Sequence, residues 1–245
     1  KSVRSHHNGP TYAQLIRYYH ESSLRNINII DLTPSQIQRF YTQSVEAGVG
    51  LRTVQKTHTV LHAALNFALK AGMIGRNPAK ATHPPKPKQK EMSFLTNKQA
   101  KQLLETAEDS SDPYYALYYL ALVTGMREGE LLGLKWENVN LEMGILHVKH
   151  NLARKPGGGL RLKSPKTKAS IRSIKLGAET VKVLVGQRER LADQRSKSNG
   201  LWQDTGHVIT SSVGTPIDPS NLSKSFRQLL KRTGLPWIRF HDLRH

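Results

Sequence analysis

The chain has 245 residues, with 37 lysines and arginines against 18 acidic residues, so its formal net charge is +19. No apolar run is long enough to span a membrane, and the absence of cysteine excludes disulfides and thiolate zinc sites. The positive charge predicts a polyanionic partner. Nucleic acid is the best candidate, because each neutralised phosphate releases condensed counterions, and an anionic membrane surface is the weaker alternative.

Helices are predicted along most of residues 1–80. The first covers residues 11–19. Thr33 and Gln36 form a capping box around Pro34, which starts a second helix that runs to about residue 47. A third covers residues 53–71, with one buried face. Its other side predicts a basic surface for DNA, carried by Arg52, Lys56, Thr57 and His58.

Residues 81–93 differ in composition from both flanking regions. Three prolines and several lysines follow one another closely, which predicts an extended basic linker. A solvated loop and a strap that faces DNA both fit this composition. The second interpretation adds three candidate DNA contacts, Lys86, Lys88 and Lys90. The linker separates a helical domain over residues 1–80 from a larger domain over residues 94–245.

The larger domain mixes helices with short strands. Capping signals at Thr96 and Asp112 open helices to about residue 107 and over residues 114–123, and the second is apolar on most sides. A short helix covers residues 127–132, and two longer ones cover residues 180–191 and 219–231. Strands are predicted at residues 145–149, 160–162 and 171–176, with a glycine turn at residues 157–159. The expected fold is mainly α with a small β-sheet, an α+β class.

No metal or hydrolase signature stands out. His241 and His245 are four residues apart, but the His-Glu-x-x-His pattern of zinc enzymes is absent. A nucleophilic serine motif and a phosphate-binding P-loop are absent as well. The remaining candidates are cationic, and they lie in three segments: Thr124-Gly-Met-Arg-Glu-Gly-Glu-Leu131, Pro165-Lys-Thr-Lys-Ala-Ser-Ile-Arg172 and His241-Asp-Leu-Arg-His245.

These segments resemble the tyrosine recombinases, the integrase family of phages and conjugative elements. The first resembles the family's first arginine box and the last its His-x-x-Arg box, with the lysine hairpin between them. The resemblance implies a helical core-binding domain followed by a mixed catalytic domain. It implies catalytic roles for Arg127, Lys166, His241 and Arg244, with Lys168 as the competing lysine. Glu130 and His245 would support them, and Lys168 and Arg172 would also contact DNA.

The chemistry agrees with that assignment. Cleavage of a phosphodiester builds negative charge on its nonbridging oxygens, which two guanidiniums can grip bidentately at any working pH. The resemblance implies a 3′-phosphotyrosyl intermediate, and we expect no ATP, metal or other cofactor. The partner would be double-stranded DNA, held between the two domains. A full-length protein would act as a tetramer, in the bacterial cytoplasm, to integrate or excise a mobile element.

The resemblance fails at the nucleophile. The family's tyrosine follows the His-x-x-Arg box, whereas all eight tyrosines here lie at or before position 119. We therefore expect a chain truncated at its C-terminus that binds DNA without cleaving it. Two alternatives stay open: a DNA-binding or architectural protein with an inactive recombinase fold, and a type IB topoisomerase.

Overall fold

The computed structural model describes residue 19 and residues 22–87, 93–155, 157–164 and 171–244. The chain divides into two compact units, Lys1–Lys90 and Glu91–His245. Within the described ranges, no helix combines the length and apolar character needed to cross a membrane. The helix predicted over residues 11–19 lies outside the described residues except for its last position.

Two helices and a short turn form the described part of the first unit. Helix α1 spans Pro34–Glu46, helix α2 spans Leu51–Lys70, and a 3-10 turn spans Pro78–Ala81. The predicted capping box is confirmed: the backbone N–H of Gln36 donates to Thr33 Oγ1, and the Thr33 N–H donates to Gln36 Oε1. The core of this unit includes the fully buried side chains of Leu24, Ile37, Tyr41 and Leu65.

A side chain of α1 fixes the segment that follows the 3-10 turn. Gln38 donates from Nε2 to the backbone carbonyl of His83 at 3.2 Å, and its Oε1 accepts from the His83 N–H at 2.9 Å. Residues 82–87 have no regular secondary structure. This clasp, defined as the Gln38 amide on the His83 backbone, therefore holds the first part of the predicted linker on its own unit.

Five helices build most of the described part of the second unit. They are α3 Asn97–Asp109, α4 Tyr115–Thr124, α5 Glu128–Leu132, α6 Ala178–Lys197 and α7 Pro219–Thr233, with 3-10 turns at Trp136–Asn138 and Phe240–Arg244. Each of the five helices was predicted, and the ends of α6 extend beyond the predicted range. Both α3 and α6 pack on α4, as does the 3-10 turn at Phe240–Arg244.

Two small antiparallel sheets are also present among the residues described in this unit. One has the order β1-β2-β5, formed by Val139–Asn140, Ile145–Val148 and Arg172–Lys175. The other pairs β3 Asn151–Arg154 with β4 Leu160–Lys163. Strands β1 and β3 were not predicted from the sequence. The α+β expectation is confirmed, since helices and small sheets share one core.

Helix α4 lies at the centre of that core. Leu117, Tyr118 and Leu120 are fully buried, and the ring of Tyr118 lies 5.6 Å from Phe226 on α7. The four tyrosines in and just before this helix are buried to different degrees. Tyr118 is completely enclosed, whereas Tyr114, Tyr115 and Tyr119 are half-buried.

Candidate functional site

A single carboxylate joins two arginines at the start of α5. Glu130 Oε1 accepts from Nη1 of Arg127 at 3.0 Å and from Nη1 of Arg172 at 3.2 Å. Glu130 Oε2 accepts from the Arg127 backbone N–H and from Nη2 of Arg172, both at 2.9 Å. We call Arg127, Glu130 and Arg172 the arginine cluster. It joins residues that are 42 positions apart in the sequence.

Local sequence explains where Arg127 lies. Helix α4 ends at Gly125, whose φ of 60° is left-handed and therefore suits glycine. Met126 is buried and anchors the next residue. Arg127 then takes an extended conformation before α5 begins, so its side chain leaves the core while its N–H is capped by Glu130.

The cluster keeps a positive charge. Glu130 is only 6% exposed, whereas the Arg127 side chain is 57% exposed. Burial raises the pKa of the Glu130 carboxyl, but the hydrogen bonds from Arg172 and Arg127 outweigh it, and the net shift is downward. One ionised carboxylate against two guanidiniums leaves a net charge of +1, presented by the more exposed Arg127.

The second predicted box lies in the 3-10 turn at Phe240–Arg244. Phe240 and Leu243 are buried, and the Phe240 ring packs 5.6 Å from Phe226 and 6.2 Å from Tyr118. His241 is exposed and Arg244 is half-buried. The apolar members of the box therefore anchor it in the core, and the two candidate catalytic residues lie on its other side.

The structure connects these two boxes only in part. The turn that carries His241 and Arg244 packs on α4, and the end of α4 leads directly to Arg127.

Five predicted site residues fall outside the described residues: Lys88, Lys90, Lys166, Lys168 and His245. Arg172, predicted to contact DNA, has Glu130 as a partner, and its side chain is 34% exposed.

The structure of α2 contradicts the predicted DNA contact of Thr57 and gives His58 a partner within its own unit. Arg52 and Lys56 are exposed as expected, but Thr57 is 6% exposed, so its assignment to the DNA-facing side is wrong. Thr57 lies three residues after buried Val54 on the same helical face, and its hydroxyl is satisfied by the Thr53 carbonyl at 3.0 Å. His58 is half-buried, and its Nδ1 lies 2.8 Å from Tyr41 Oη.

Charge is distributed unequally between the units. Residues 1–90 carry 13 lysines and arginines against 3 acidic residues, and residues 91–245 carry 24 against 15. Among the described residues of the first unit, no lysine or arginine forms an ion pair, although all eight are exposed: Arg25, Arg39, Arg52, Lys56, Lys70, Arg76, Lys80 and Lys86. This unit therefore presents cations with no counter-charge in the described part of the chain.

Sequence reasoning missed two polar features of the second unit. Arg154 at the end of β3 donates from Nε and Nη2 to both carboxylate oxygens of Asp218, which also caps α7 through the Ser220 N–H. Glu128 is the second feature: in the described part of the chain, its buried Oε1 has no hydrogen-bond partner. Arg154 and Asp218 are 64 residues apart, so no local sequence signal predicts their pairing. Glu128, in contrast, directly follows Arg127 of the first arginine box and could have been singled out from the sequence.

The fold is that of a tyrosine recombinase, and the chain belongs to the phage integrase family, whose sequence model matches residues 93–245. A "Tyrosine recombinase XerC-like" protein of Caldanaerobacter subterraneus subsp. tengcongensis is 30% identical, and the alignment covers 93% of this chain and 62% of that protein. An integrase of Streptomyces ambofaciens is 29% identical over 82% of this chain and 52% of the relative. The chain thus spans less than two thirds of the length of these relatives.

Solved structures share the fold. The Tn1549 transposon integrase, in complex with a circular intermediate DNA, superposes with a TM-score of 0.80 at 21% identity, covering 95% of this chain and 77% of that one. The lambda integrase bound to DNA gives a TM-score of 0.60 at 23% identity, covering 96% and 78%. These similarities extend over both units of the chain.

Proposed function

We propose that this chain binds double-stranded DNA as part of a site-specific recombinase that cleaves and rejoins strands through a 3′-phosphotyrosyl intermediate. The observation that carries the proposal is the arginine cluster, which places a guanidinium with unused donors on the surface of a chain of charge +19. Family membership gives the reaction class. The proposed outcome is integration or excision of a mobile element in a bacterial cell.

Each candidate residue has a chemical task in this proposal. Arg127 and Arg244 would hold the nonbridging oxygens of the scissile phosphate, where negative charge develops during cleavage. His241 would hydrogen-bond the phosphate or transfer a proton. Lys166 or, as the alternative, Lys168 would protonate the leaving 5′ oxygen. Glu130 would not react, because both of its oxygens already accept hydrogen bonds from arginines.

The first unit would supply much of the affinity for the DNA backbone. Its exposed cations have no acidic partners among the described residues, so binding a phosphate would break no ion pair seen in the structure. Arg52 and Lys56 lie one turn apart on α2, and Lys86 follows the clasp. In support, two integrases that share this fold, those of Tn1549 and lambda, are bound to DNA in their solved structures.

The test is duplex binding as a function of salt. A labelled duplex of about 30 base pairs and arbitrary sequence should lose about a thousandfold in affinity between about 50 and 200 mM salt if about six phosphates are neutralised. Replacing Arg52 and Lys56 together by glutamine should lower the slope by about two contacts. Lys197→Gln is the matched control, because Lys197 already pairs with Asp193 at 2.8 Å. A flat salt dependence of the parent chain would contradict the proposal.

A second assay addresses cleavage and assembly. All eight tyrosines lie at or before position 119, ahead of the first arginine box, so we expect this chain to bind a nicked suicide duplex without covalent attachment. Recovery of a protein–DNA adduct would contradict that expectation. We also propose that the recombinase acts as a tetramer on DNA and that this chain is a monomer in solution, which sedimentation measures directly.

A further inference from the structure

The carboxylate of Glu130 has no acceptor position left. An ionised carboxylate offers about four lone-pair sites, and Glu130 receives four hydrogen bonds in the arginine cluster. Arg172 takes the bidentate arrangement, with one Nη on each oxygen. Arg127 contributes one side-chain donor and its backbone N–H, which leaves its Nη2 and Nε without a partner among the described residues.

We propose that Arg172 is a positioning residue that keeps Arg127 available to a phosphate by occupying Glu130. This inference rests on the proposed function of Arg127. Without Arg172, two acceptor sites on Glu130 would open beside the Arg127 guanidinium. A planar guanidinium pairs bidentately with a carboxylate, so Arg127 would turn onto Glu130 and the pair would become neutral.

The geometry argues against the simpler role of a direct DNA contact. Both Nη groups of Arg172 donate to a carboxylate that is 6% exposed, and the Arg172 side chain is itself mostly covered. Arg127 is the more exposed member of the cluster. Arg172 therefore acts on DNA through Glu130 and Arg127, and its effect on binding depends on the charge at position 130.

That dependence defines the experiment. Affinity for a labelled duplex of about 20 base pairs is measured for the parent chain, Arg172→Met and Lys175→Met, each with and without Glu130→Gln. Lys175 is the matched control because it is an exposed cation on the same strand and forms no ion pair among the described residues. We expect Arg172→Met to lower affinity about threefold and the salt slope by about one contact.

Glu130→Gln then separates the possible roles of Arg172. In the Arg172→Met background it should restore the lost contact, because no carboxylate remains to capture Arg127. In the Lys175→Met background it should have only the general effect of removing one acidic group. Equal effects in both backgrounds would overturn the inference. Failure of the parent chain to bind the duplex would instead contradict the proposed function, and the inference with it.

A second variant covers the case in which Arg172→Met does not fold, as judged by thermal unfolding. Arg172→Lys keeps the charge but cannot fill both acceptor sites in a fork. We expect a smaller loss of affinity and again a larger gain from Glu130→Gln than in the Lys175→Met background. A lysine variant without that extra gain would overturn the inference.

Discussion

A β-carbon on Gly129 would lie 1.8 Å from Oδ1 of Asn151 and 2.8 Å from the backbone oxygen of Leu152. Helix α5 therefore lies directly against strand β3, with glycine as the only residue type that fits without a shift. A β-carbon added to Gly133, one turn later, would lie 2.9 Å from the backbone nitrogen of Leu152. Because α5 carries Glu130, this contact sets the position of the arginine cluster.

Alanine at either glycine should destabilise the second unit. The neighbouring atoms at Gly133 are backbone atoms, which cannot move aside as a side-chain tip can, so we expect a loss of about 1–3 kcal/mol in the free energy of unfolding. Gly186→Ala is the control. It lies within α6 with nothing within 4 Å of the added carbon, and should stabilise by about 0.5–1 kcal/mol. Urea unfolding measures both, and a neutral Gly133→Ala would contradict the close contact.

Glu128→Gln should stabilise the protein at neutral pH. Burial raises the pKa of Glu128 above its ordinary 4.5, so the folded state holds the proton more tightly than the unfolded state. The unfolding free energy of the parent therefore falls as pH rises from 4.5 through the raised pKa. Glutamine cannot ionise, so it avoids this decrease in the unfolding free energy. Glu128→Gln should therefore be more stable than the parent by about 1 kcal/mol at pH values above the raised pKa of Glu128, and little different below pH 4.5. A gain independent of pH would contradict this account.

The two roles of Asp218 can be separated by substitution. Asp218→Asn keeps an oxygen to cap α7 but loses the charge that faces Arg154, whereas Asp218→Ala loses both. We expect alanine to cost about 1 kcal/mol more than asparagine. Burial raises the pKa of Asp218, but hydrogen bonds from Arg154 and Ser220 lower it overall. The stability it contributes is present above pH 3.8 and is lost as pH falls through the lowered pKa, which urea unfolding at several pH values would measure.

Lysine in place of Arg127 or Arg244 should separate binding from cleavage. Lysine keeps the positive charge but cannot grip two phosphate oxygens in a planar fork. We expect duplex affinity to change little and most strand cleavage to be lost, measured as covalent adduct in a form of the protein that carries the nucleophile. Arg195→Lys, on an arginine of α6 that pairs with Asp204, is the control. Unchanged cleavage in the Arg127 variant would remove its proposed role.

Local signals in the sequence predicted the helices well, whereas contacts between distant segments were not predictable. The capping boxes at Thr33 and Thr96 act within four residues, and both were found as expected. Strand β3 has no alternating pattern to reveal it, since its position depends on pairing with β4 and on the glycines of α5. Thr57 was misplaced because a polar residue type was taken as an exposed one.

The same difference applies to the candidate site. The boxes at Arg127 and Arg244 were identified by their residues, and Glu130 was expected to support the catalytic residues. That one carboxylate also holds Arg172 could not be derived, because strand register decides which residue of β5 reaches it.

The clasp at His83 has an evolutionary consequence, because it engages only main-chain atoms of that residue. Any amino acid with a backbone N–H can replace the histidine and still be held. Position 38 has no such freedom: glutamate would retain the acceptor and lose the donor, and a shorter asparagine would not reach as far. Homologues that conserve this anchorage should therefore vary at the held residue and be restricted at the residue that holds it.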